Sequence, residues 1–139
     1  MRNDKGKNLI VDLTFEFSLK IIKYTSLLEK EKRFVLAKQL LRSATSIGAN
    51  VREAQNAESR ADFIHKMKIA AKEASETLYW LILCERSDGY YFDTKFGDDL
   101  DNIIKILSKI ISSAKGRIPG FVWMLLYSFS NFQIFKLVH

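Results

Sequence analysis

Basic side chains at helical spacing are the clearest chemical signal in this sequence. Lys38, Arg42 and Arg52 stand four and ten residues apart, which keeps them on one side of a helix. His65, Lys68 and Lys72 repeat the pattern further along the chain. Such rows suit contact with successive phosphates of a nucleic-acid backbone. A solvated outer helix face is the other reading of the same residues, and one row alone does not separate the two. Two rows combined into one patch strengthen the phosphate reading, and an oligomer would multiply it. No base-reading motif accompanies the rows, so the expected contact is independent of sequence.

Residue types that carry catalysis are present without the neighbours they need. Ser43, Ser46 and Ser75 have no histidine base nearby in sequence. His65 has Lys66 and Lys68 beside it but no carboxylate or second histidine at ligand spacing, and His139 is terminal, so no metal site is expected. Cys84 lies among Leu81, Ile82 and Leu83, where packing is its expected role. Glu53 and Glu58 are expected to pair with Arg42, Arg52 or Arg60. Asn50 and Glu53 are expected to hydrogen-bond between helices and fix their register, with a recognition role as the rival. There is no glycine-rich phosphate loop. The expectation is a non-enzymatic protein without cofactors.

The elements that position these residues are helical. The chain has 139 residues, 47% of them hydrophobic and 27% charged, as expected of one folded domain. One proline and six glycines permit long helices. Twenty-two Lys+Arg against sixteen Asp+Glu give a net charge of +6, which favours a polyanionic partner, although solubility alone accommodates that charge. The single cysteine excludes an intramolecular disulfide and suits a reducing cytoplasm, where the protein is expected. No apolar signal region follows Met1–Lys7.

Four helices follow from the apolar period. The first, from about Leu9 to Glu29, buries Ile10, Leu13, Phe17, Ile21, Tyr24 and Leu28. The second, Phe34 to about Ala57, buries Leu36, Leu40, Ala44, Ile47, Val51 and Ala54. Ser59, with Asp62 three residues on, starts a third that buries Phe63, Met67, Ala70, Ala74, Leu78 and Leu81 and ends at Ser87-Asp88-Gly89. The fourth, centred on 100–114, buries Leu100, Ile103, Leu107, Ile110, Ile111 and Ala114. Short connections imply an antiparallel up-down-up-down four-helix bundle over residues 1–117.

Two apolar rows do not fit inside such a bundle. Phe15, Leu19 and Ile22 form a second face on the first helix, and Ile69, Trp80 and Leu83 flank the third. Leaving them all exposed makes a larger apolar area than soluble monomers usually carry, so they are expected to form a homo-oligomer interface. The tail, 118–139, is apolar with Lys136 its only strong charge. It could fold back on those rows, lie at a membrane interface, or be an extension under little functional selection. Ser128, Ser130, Asn131 and Gln133 make it a poor transmembrane helix, so packing or partial disorder is expected.

The stretch Phe34–Glu76 resembles a particular bacterial family. Its best-matching parts are S-I-G-A-N at Ser46–Asn50, Glu53 after it, and Phe63 with the outward basic residues. The family comprises the four-helix bundles encoded in intervening sequences of 23S ribosomal RNA genes. It is similar to the accessory variability proteins of diversity-generating retroelements. The resemblance covers roughly Leu9 to Lys115. It implies a homo-oligomeric ring, described as pentameric in relatives. It also implies nucleic acid (RNA or an RNA–DNA intermediate) and a reverse transcriptase as partners. Many members carry proline where this chain has Gly48, which implies a straighter or more flexible helix here.

Overall fold

The computed structural model describes residues 8–116, so the expectations for the tail 118–139 lie outside the described residues. Helix α1 spans Leu9–Lys30, α2 Phe34–Ala54, α3 Arg60–Arg86 and α4 Lys95–Lys115. The described residues contain helices only, and each helix packs against the next, with α1 also meeting α4. The fold is an all-α four-helix bundle.

Each buried stripe keeps the alternating steps of three and four that make a seam between nearly parallel helices. On α1 the stripe is Ile10, Thr14, Phe17, Ile21, Tyr24 and Leu28. On α2 it is Ala37, Leu40, Ala44, Ile47, Val51 and Ala54. On α3 it is Phe63, Met67, Ala70, Ala74, Thr77, Leu81 and Cys84. On these three helices the sequence reading is corrected at three places. Leu13 and Leu36 are half-buried beside Thr14 and Ala37, and Leu78 is exposed beside the fully buried Thr77. On α4, Phe96 and Ile106 join Leu100, Ile103, Leu107 and Ala114, while Ile110 and Ile111 are half-buried.

The turns set the direction of each helix. Glu29–Arg33 reverses the chain without glycine or proline. Lys32 takes a left-handed φ of 61°, its N–H donates to Glu29 O (2.9 Å), and the Arg33 N–H donates to Leu28 O (2.8 Å). These two bonds satisfy carbonyls that the end of α1 leaves open. At the start of α3 the Ser59 hydroxyl accepts from the Asp62 N–H (3.0 Å), as the sequence implied. Asp62 reaches back to the Glu58 N–H (3.2 Å), one residue before the expected partner. Gly89 ends the stretch after α3 with φ 79°.

Contacts between connections fix the topology. At one end Tyr24 donates its hydroxyl to the Tyr91 carbonyl (2.7 Å), and the Arg33 guanidinium lies 4.5 Å from the centre of the Tyr90 ring. At the other end Asn8 donates to Gln55 (2.8 Å), and Arg60 donates to the Ala114 and Gly116 carbonyls. Helices α1 and α3 therefore run in one direction, α2 and α4 in the other.

Candidate nucleic-acid interface

The basic residues singled out in the sequence sit on two neighbouring helices, with an ion-paired seam between them. Lys38 and Arg52 are exposed on α2, and His65, Lys68 and Lys72 are exposed on α3. Between them the α2–α3 seam pairs its own charges, two cations against three carboxylates. Arg42 pairs with Glu73 (3.3 Å) and more tightly with Glu76. Lys66 pairs with Glu53 (2.9 Å). The Trp80 indole N–H also donates to Glu76 (3.1 Å).

The charges along the seam follow from these bonds. The hydrogen bond to Glu76 is the main cause holding the Arg42 guanidinium above its ordinary pKa. Conversely, Arg42 first and Trp80 second hold the Glu76 carboxyl below the usual carboxylate range. Glu53 likewise raises Lys66. Arg42 is thus engaged within the fold, and its partners are Glu73 and Glu76 rather than the expected Glu53 or Glu58. The expected cross-helix role of Glu53 is met by Lys66, whereas Asn50 donates to the Ser46 carbonyl of its own helix (2.8 Å). Arg60 serves the end of α4 and pairs with neither expected glutamate.

Lys38, Arg52, Lys68 and Lys72 form no ion pair among the described residues, which leaves their charges available. On α3 the exposed row continues from the candidate residues His65, Lys68 and Lys72 through Tyr79, which the helical period also places outward, to Arg86. His65, Lys68, Lys72, Tyr79 and Arg86 are all exposed, and at 3.6 residues per turn they fall within about 60° of arc. The seven-residue step from Tyr79 to Arg86 was the signal that could have extended the row to Arg86.

Two of the three serines weighed as nucleophiles are engaged in hydrogen bonds within the bundle. Ser43 is buried and shares a 2.9 Å hydrogen bond with Thr77, whose hydroxyl also lies 2.7 Å from the Glu73 carbonyl. Ser46 donates to the Arg42 carbonyl (2.7 Å), and Ser75 is exposed on α3. Burial pushes the Cys84 thiol up, against a smaller downward pull from its hydrogen bond with Tyr24, so it stays protonated at neutral pH. Burial likewise raises Tyr24. Among the described residues no three His, Cys, Asp or Glu side chains gather as a metal site would require. No described helix is long and apolar enough to cross a membrane.

The 23S rRNA-intervening sequence protein family matches residues 7–113. The chain belongs to that family. A solved Bacteroides thetaiotaomicron protein, described as of unknown function from the S23 ribosomal protein family, is 45% identical. The match covers 74% of this chain and 98% of that one, with a TM-score of 0.71. None of the curated proteins matches. The family match spans all four helices and both cationic rows.

The expected oligomer face divides in the structure. Phe15, Leu19 and Ile22 are 52%, 46% and 45% exposed and form a row along α1. Ile69, Trp80 and Leu83 are half-buried, with Trp80 packed against the core. Beside the α1 row, a groove of about 220 Å³ runs between α1 and α2. Gly48 lies in its wall, where a Cβ would sit 3.4 Å from the Thr14 carbonyl oxygen, at the near edge of ordinary van der Waals contact.

Proposed function

We propose that this member of the 23S rRNA-intervening sequence protein family is a non-enzymatic accessory protein that binds nucleic acid, RNA or an RNA–DNA intermediate, through its outer helix faces. The observation that carries the reading is the α3 row, where Lys68 and Lys72 stand exposed and form no ion pair among the described residues, beside a seam whose charges pair with one another. Arg42 pairs with both nearby acids, Glu73 and Glu76, and so reduces their competition with phosphate for Lys68 and Lys72. The family's name, which ties it to 23S rRNA genes, agrees with an RNA ligand.

Fluorescence anisotropy with labelled RNA and DNA across a salt series tests this. Each phosphate contact adds about 0.7 (single strand) to 0.9 (duplex) to the slope of log affinity against log salt. Lys68→Glu with Lys72→Glu should therefore flatten the slope by about 1.5 and weaken all sequences alike. Absent binding, or binding indifferent to salt, refutes the proposal.

A second reading, a protein-interaction scaffold, is favoured by the exposed Phe15, Leu19 and Ile22 row and the groove beside it. Partners that survive nuclease treatment in a pull-down support it, with a reverse transcriptase among those to probe. The same row supports self-association, and the closed, pentameric ring is what the family resemblance adds. Light scattering that finds only monomer removes the assembly from the proposal.

A further inference from the structure

Among the described residues the aromatic side chain in the middle of the α3 row has one ring contact and is otherwise open. Tyr79 is 56% exposed. Its ring meets Trp80 edge-on, with centroids 5.0 Å apart and planes at 66°. Trp80 is itself fixed, since its indole N–H is bound to Glu76 and Glu76 to Arg42. The Tyr79 ring is therefore braced from the α2–α3 seam while remaining open to solvent. Lys72 and Arg86 lie two helical turns before and after it, each about 10 Å along the axis, and both are exposed.

We infer that Tyr79 is a base-stacking platform within a cationic row, and that α3 takes single-stranded nucleic acid in preference to duplex. The inference rests on the nucleic-acid reading above and names the form of its ligand. In a duplex the bases are paired and stacked inward, so a ring projecting from a convex helix meets only backbone. There its apolar faces lose water and gain nothing. In a single strand a base can turn outward and lie on the ring, while the flanking phosphates meet Lys72 on one side and Arg86 on the other. Any base offers a π-face, so the contact tolerates any sequence, in keeping with the absence of a base-reading motif. The row from His65 to Arg86 is roughly 30 Å long, enough for several nucleotides.

The test uses the full chain with two probes, a labelled oligouridylate strand and a blunt mixed-sequence RNA duplex. Tyr79→Ala should weaken the single strand about tenfold or more, the effect of losing one stacked base, and leave the duplex unchanged. Tyr79→Phe, which keeps the ring, should retain single-strand affinity. Tyr91→Ala, at an exposed tyrosine off the row, should change neither probe. If Tyr79→Ala leaves the single strand unaffected while Lys68→Glu with Lys72→Glu still weakens it, the platform is refuted and the nucleic-acid reading stands. If the unaltered protein binds neither probe, the reading beneath it fails.

Discussion

Replacing Thr77 with Val removes one hydroxyl from the α2–α3 interface while keeping the side-chain volume, so it isolates a polar contact from packing. Thr77 and Ser43 are both fully buried and share a hydrogen bond of 2.9 Å. Each has a second acceptor on its own helix, Glu73 O at 2.7 Å for Thr77 and Leu40 O at 3.3 Å for Ser43. Thr77→Val leaves Ser43 with only its long bond, so most of one buried desolvation penalty appears, about 1–1.5 kcal/mol. Ser43→Ala leaves Thr77 with its short bond and should cost less, about 0.5–1 kcal/mol. With both hydroxyls gone, neither is stranded. The double variant should therefore fall short of the sum of the singles by about 0.5–1 kcal/mol. Urea titrations followed by circular dichroism, with unchanged m-values, would measure all four corners of the cycle. Additivity within about 0.3 kcal/mol would refute the reasoning, because it would mean the two hydroxyls do not depend on each other.

Two further expectations concern the turn after α1 and the charged seam. Lys32→Gly relieves a side chain held at φ 61° and should stabilise the fold by about 0.5–1 kcal/mol, read as a higher urea midpoint. A lower midpoint would mean that the Lys32 side chain makes a contribution its backbone angle conceals. Because Arg42 and Trp80 depress the Glu76 carboxyl, this group stabilises the fold above the ordinary glutamate pKa of about 4.3. That contribution is lost as pH falls through the depressed value. The melting temperature of Glu76→Gln should therefore decline less on acidification than that of the unaltered protein, and parallel curves would contradict this assignment.

The number and order of the helices, the Ser59 cap and the Gly89 turn were all legible in the sequence, because each leaves a local chemical mark. Five expected core residues are not fully buried, and the three on α1, α2 and α3 share one cause. Leu13, Leu36 and Leu78 were chosen for being apolar, yet the strict alternation of three and four points one residue away, to Thr14, Ala37 and Thr77. Close helix approach admits small or hydroxyl-bearing residues there, and the hydroxyls are satisfied within the bundle: Thr14 donates to the Ile10 carbonyl (2.7 Å). The spacing of the stripe carried more information than the hydrophobicity of its members.

Pairing between helices was hidden for a different reason. The partners of Arg42 lie thirty-one and thirty-four residues away, and their meeting depends on the register of two whole helices. The candidate cations were legible as residues on outward faces. Which of them the fold consumes was not, since Arg42 and Lys68 look alike in sequence. Lys32 carries no mark of its left-handed turn, and only the abrupt loss of hydrophobicity located it.

The four seams of the bundle are unequal in ways that bear on how it opens. Helices α2 and α3 are joined by the Ser43–Thr77 bond, the Arg42 pairs and Lys66–Glu53. Between the bodies of α1 and α4 the one ion pair among the described residues is Lys20–Asp99 (2.7 Å), beside a cleft of about 400 Å³. The molecule is thus built like a book, with α2 and α3 as its spine and α1 and α4 as its covers. Amide protons of the spine should be the last to exchange with solvent, and those of the covers should exchange through partial openings that leave the spine closed. The cationic row of α3 lies on the spine, so it keeps its spacing while the covers breathe.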